Sequence, residues 1–124
     1  MFHIMGKVER GLGEARKIGF PTLNISYTLP HGQSLAVGVY AAEVRADGRV
    51  YQAAACVGAD WGAGQRPKFE VYLFDAGGSE IWYDKEVEVK VLKKIRDLTR
   101  FDNAEEACAR IAQDVEDIKN FFAD

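Results

Sequence analysis

Thr22 and Asn24 stand two residues apart directly after Pro21, in the stretch Gly19-Phe20-Pro21-Thr22-Leu23-Asn24-Ile25. The proline ring fixes its own backbone angle and biases its predecessor towards extended geometry. Side chains two apart on an extended segment point to the same side. A hydroxyl and a carboxamide oxygen placed that way can serve one hard cation. Taken alone, the same pair also suits a polar strand edge after a turn.

Ahead of it runs Gly6-Lys7-Val8-Glu9-Arg10-Gly11-Leu12-Gly13-Glu14-Ala15-Arg16-Lys17-Ile18-Gly19, a strand-like entry followed by a glycine-interrupted basic loop. Gly11 and Gly13 let backbone N–H groups approach phosphate oxygens with no Cβ in the way, and Arg16 and Lys17 bring positive charge. With Lys7 and Arg10 they make a local anion site in a protein of net charge −3. A flexible hairpin connection with a solvated basic face has the same composition. The chain has neither a G-x-x-x-x-G-K-[ST] loop nor a strand-turn-helix G-x-G-x-x-G context.

Glu70 lies in Phe69-Glu70-Val71-Tyr72-Leu73-Phe74. Period-two alternation turns Phe69, Val71 and Leu73 one way and Glu70, Tyr72 and Phe74 the other, so the carboxylate shares a face with two aromatics. On a covered face it is partly desolvated and more basic, as a general base must be. On an open face it is an ordinary outer-strand glutamate.

These stretches resemble riboflavin kinase, the ATP-dependent flavokinase found alone or as the C-terminal half of bifunctional bacterial FAD synthetases. The family's mark is a glycine-rich, arginine-containing loop leading into G-F-P-T-x-N. The resemblance continues in order through Gly38-Val39-Tyr40-Ala41, Phe69 to Asp75, Trp82-Tyr83-Asp84-Lys85-Glu86-Val87-Glu88-Val89 and Ile95-Arg96-Asp97-Leu98-Thr99-Arg100-Phe101, covering nearly the whole chain. Departures from the family pattern fall at Ala15, at Cys56-Val57-Gly58 with Ala59 to Trp61, at Tyr72 and at Asp84.

The resemblance implies transfer of the γ-phosphate of MgATP to the 5′-hydroxyl of riboflavin, giving FMN and ADP. It implies Thr22 and Asn24 as Mg²⁺ ligands, Thr22 also beside the nucleotide, and Glu70 as the base that takes the hydroxyl proton. It further suggests that the junction carrying Arg96 and Phe101 borders the isoalloxazine ring, although Phe101 equally suits the hydrophobic staple before a helix cap. The reaction needs little covalent help: the phosphate must be held in line, its charge spread, and the accepting hydroxyl oriented. Neutral Thr22 and Asn24 suffice for magnesium when the nucleotide supplies the negative ligands. The competing functional expectation is a flavin- or nucleotide-binding barrel without efficient catalysis; a purely structural barrel predicts no flavin binding at all.

The elements that must position these residues are mostly β, then α. Strands are predicted over about Phe2 to Val8, Thr22 to Tyr27, Val37 to Arg45, Arg49 to Val57, Lys68 to Asp75 and Glu80 to Leu92. Asp47-Gly48 signals a tight hairpin, and Ala76-Gly77-Gly78-Ser79 predicts a second one between the last two strands. Val87, Val89 and Val91 alternate with charged residues and belong to the core. Six short strands without intervening helices predict a small closed antiparallel barrel. Cys108, Ile111, Ala112, Val115, Ile118 and Phe122 fall at helical spacing, and Asp102 or Asn103 can cap with Glu105 or Glu106, so one C-terminal amphipathic helix should pack on the barrel.

At 124 residues the chain suits one domain, 1–124, and leaves no room for a nucleotidyl-transferring unit, so FMN is the expected end product. Its acidic balance shows no broad footprint for nucleic acid, and no stretch approaches 18 apolar residues. A monomer in the cytoplasm is expected. Cys56 and Cys108 lack metal-ligand spacing and are read as buried thiols in a reducing compartment; His3 and His31 stand apart from any acidic or cysteine cluster, against a zinc site.

Overall fold

The computed structural model describes residues 2–9, 23–27, 36–58, 68–74, 84–97 and 103–123. Among the described residues, strands β1 (Phe2–Glu9), β2 (Leu23–Tyr27), β3 (Gly38–Ala46), β4 (Arg49–Gly58), β5 (Lys68–Leu73) and β6 (Glu86–Arg96) precede the helix α1 (Ala104–Ala123). The strands close into an antiparallel barrel in the order β1-β2-β5-β4-β3-β6. Closure gives each described strand a neighbour on both sides. The predicted fold, a six-stranded closed barrel with a C-terminal helix, is the fold observed.

Alternation decides which side chains fill the interior. Leu23, Ile25 and Tyr27 point inward from β2, and Phe69, Val71 and Leu73 from β5. Val87, Val89 and Val91 are 1%, 0% and 2% exposed and join the same core. Each such side chain contributes roughly 1.5–3 kcal/mol by leaving water. The rings of Tyr27 and Phe69 meet edge to face inside the barrel, their centroids 5.4 Å apart.

The β3–β4 turn is the tight hairpin the Asp-Gly pair predicts. Asp47 and Gly48 both have positive φ, 50° and 79°, the left-handed pair that matches the twist of the flanking strands. The second predicted hairpin is corrected. Among the described residues β5 pairs with β2 and β4, whereas β6 pairs with β1 and β3. Barrel order follows from long-range register, which a short linking sequence does not encode; residues 75–83 themselves lie outside the described residues. β6 also runs on through Lys93 and Lys94 to Arg96, because two irregularities in its pairing with β3 absorb the break in alternation.

Asn103 caps α1: its Oδ1 accepts a hydrogen bond from the Glu106 backbone N–H at 2.9 Å. Glu105 and Glu106 in the first turn complement the positive end of the helix dipole. The helix packs on the outside of the wall, where Ile118 meets Ala41 and Phe74, flanked by Ala54, Tyr72, Ile95, Val115, Phe121 and Phe122. Small Ala41 and Ala54 let it approach closely. Ala112 is exposed, and Asp114, 2% exposed, occupies the inner face instead.

Candidate active site

Leu23 stands opposite Val71 across the β2–β5 ladder, and both fill the core. The next pair along, Asn24 and Glu70, therefore projects outward, with both side chains half-buried. Directly opposed residues of an antiparallel pair hold their Cβ atoms about 4.5–5.5 Å apart on one face. The carboxamide and the carboxylate expected to serve the metal and the proton are thus neighbours.

The same row extends round the wall. Asn24 is also partnered by Glu9 of β1, Glu70 by Cys56 of β4, Cys56 by Val39 of β3, and Val39 by Arg96 of β6. One residue from each strand contributes. Beyond Glu70 on the same face comes Tyr72, whose ring meets Phe74 edge to face at 5.7 Å. The facing read from alternation, Glu70 with Tyr72 and Phe74, is the facing observed.

Arg96 ends the row. Its Nε donates to Asp114 Oδ1 and its Nη2 to Asp114 Oδ2, each at 2.8 Å, while Nη1 donates to the Asp97 carbonyl at 3.0 Å. Beside it Lys94 Nζ lies 2.6 Å from Asp97 Oδ1. That hydrogen bond from Lys94 holds the Asp97 carboxyl below its usual range and, in return, Lys94 above its own. Asp97 is largely exposed, so the pair is screened and trims the strand end without locking it.

Gly11, Gly13, Arg16, Lys17, Thr22 and Phe101 lie outside the described residues. Two further residues come to the site from the structure. Cys56, half-buried and unbridged, stands opposite Glu70; its only signal in the sequence is the departure from the family's asparagine. Asp114 stood in the sequence only as a residue of the helix that follows the Ile95 to Phe101 segment. Neither Cys56 nor Cys108 is fully buried, so the buried-thiol expectation is corrected.

A hollow on another part of the wall is lined by His3, Glu43, Arg45, Val50, Glu88 and Lys90. There Glu43 stands opposite Lys90 and Arg45 opposite Glu88. Opposite charges thus alternate across the two strands, and Glu88 Oε1 lies 3.3 Å from His3 Nδ1, the make-up of an ordinary charged outer wall. The Asn24–Glu70 pair is different in kind, an acceptor carboxylate beside a neutral oxygen donor. That combination can take a proton from an alcohol and offer a hard ligand to a cation next to it.

Comparison with known proteins points the same way. The family model described as "Flavokinase: Riboflavin kinase" matches residues 1–122. The bifunctional riboflavin kinase/FMN adenylyltransferase of Escherichia coli (strain K12) is 37% identical over 123 residues, covering 98% of this chain and 38% of that protein. Its namesake from Haemophilus influenzae is 35% identical over 130 residues, covering 98% and 39%. The chain thus spans under two-fifths of the length of these relatives. The crystal structure of riboflavin kinase from Trypanosoma brucei superposes with a TM-score of 0.66 at 23% identity, over 98% of this chain and 79% of that one, and shares its fold.

Proposed function

The chain belongs to the riboflavin kinase family, and from that premise we propose that residues 1–124 act as one unit that converts riboflavin and MgATP into FMN and ADP. The observation that carries the proposal is the direct pairing of Asn24 with Glu70 on a single outer face.

In this reading Glu70 accepts the proton of the ribityl 5′-hydroxyl. The freed oxygen attacks the γ-phosphorus, a new P–O bond forms, and the bond to the ADP oxygen breaks. Tyr72 and Phe74, whose rings meet edge to face, share the outer face with half-buried Glu70. Asn24, with Thr22, supplies neutral oxygens of the kind Mg²⁺ takes alongside phosphate. The ion, when bound, neutralises charge on the nucleotide's phosphates. Gly11 and Gly13 offer backbone donors to those phosphates, Arg16 and Lys17 add charge, and Arg96 and Phe101 border the flavin ring.

Incubating the purified chain with riboflavin, ATP and Mg²⁺ and separating flavins by chromatography tests the proposal. FMN and ADP should appear in equal amounts. Riboflavin binding without FMN would leave a flavin-binding barrel, and neither binding nor turnover would overturn the reading.

A further inference from the structure

Asp114 is buried on the inner helix face, and the Arg96 side chain that meets it is 12% exposed. Their two parallel hydrogen bonds form a fork-to-fork pair, which fixes orientation as well as distance. Arg110, one turn earlier on α1, brings its Nε within 3.4 Å of Asp114 Oδ1. A carboxylate this deep is tolerated only when it is matched, and removing one partner strands the other.

Arg96 is the β6 member of the row that contains Glu70, and it faces Asp114 because the strand is irregular just before it. That irregularity lets Ile95 pack under α1 while Arg96 turns to the helix. One turn beyond Asp114, Ile118 is fully buried in the cluster that holds Phe74, with Tyr72 against it. Tyr72 is the next residue outward from Glu70 on β5. The pair therefore ties the helix that braces Tyr72 to the same row that presents the base.

We propose that Arg96 and Asp114 are positioning residues for the flavin side of the site: their paired contact sets how α1 sits on the outer wall and holds Tyr72 beside Glu70. The inference rests on the kinase reading given above. Neither side chain touches the reacting atoms; both act through α1. Arg96 then borders the flavin by fixing the wall, with its guanidinium committed to Asp114 and the Asp97 carbonyl.

Two variants test it. Asp114→Asn keeps the size and removes the charge, while Arg96→Lys keeps the charge and removes the fork. Each should raise the riboflavin KM by about tenfold, as small misplacements of a binding wall do, and leave the ATP KM within about twofold. Asp114→Glu, which retains a carboxylate, should recover part of the loss. An unchanged riboflavin KM in variants that merely melt earlier would overturn the proposal. If Asp114→Asn does not fold, Arg96→Lys decides by the same split. Should the wild-type chain make no FMN, the kinase reading fails separately and hydrogen exchange decides the positioning role: faster exchange confined to 104–123 supports it, and unaltered exchange there refutes it.

Discussion

Asn24 and Glu70 occupy directly opposed positions in neighbouring strands, so a neutral oxygen donor and a carboxylate emerge side by side from the wall. Neither can move without the ladder that holds both. Their separate roles can still be dissected, because both side chains face outward and neither belongs to the core.

Asn24→Ala should sharply weaken MgATP-dependent turnover while changing stability by no more than about 1 kcal/mol, the range usual away from the core. Steady-state rates across a Mg²⁺ series, paired with thermal melting, check this. Normal kinetics in a folded variant would refute the metal assignment.

Glu70→Gln should lower kcat by about 10² to 10⁴, the usual contribution of a positioned base, with little change in nucleotide affinity. Rapid-quench kinetics and equilibrium ATP binding measure the two separately. Loss of ATP binding would give the residue an electrostatic role instead.

Gly6→Ala tests the closeness of β1 to β2. A Cβ at Gly6 would stand 2.4 Å from Ile25 Cγ2 and 2.6 Å from the Ser26 carbonyl oxygen. Backbone cannot yield cheaply, so the variant should lose about 1–3 kcal/mol in a urea titration, as overpacked sites do. An unshifted midpoint would contradict the observed approach of the strands.

The product of residues 1–124 acting alone should be FMN and not FAD. Chromatography of a long incubation with excess ATP reads this directly. FAD accumulating in a preparation free of other enzymes would overturn the expectation.

Much of the local structure around Glu70 and of the turns and caps was legible in the residues because its logic is local. Alternation along Phe69 to Leu73 assigned Glu70 to the face of Tyr72, the Asp47-Gly48 pair marked the β3–β4 turn, and of the two cap candidates Asp102 and Asn103 the helix uses Asn103. What was not legible depends on register between distant segments. Nothing near Glu70 says that Asn24 or Cys56 stands across from it, and nothing near Asp114 names Arg96, 18 residues upstream, as its partner. The misplaced hairpin has the same origin: a glycine-rich link shows that the chain turns, without showing which strand lies next in a closed wall.

Followed strand by strand, the row that begins at Glu9 arrives at Arg96 near the far end of β6. On its other side β1 meets β6 near that strand's beginning, with Lys7 opposite Glu86 and the Asp84 N–H bonded to the Val8 carbonyl. The wall is therefore a screw thread, not a stack of hoops, and one circuit climbs nearly the length of a strand. Such stagger tilts the strands and widens a bore that six of them would otherwise leave narrow. The extra width is taken up by Tyr27, Tyr40 and Phe69. With the bore filled by rings, it is on the outer surface that the thread brings residues far apart in the chain onto one continuous ramp.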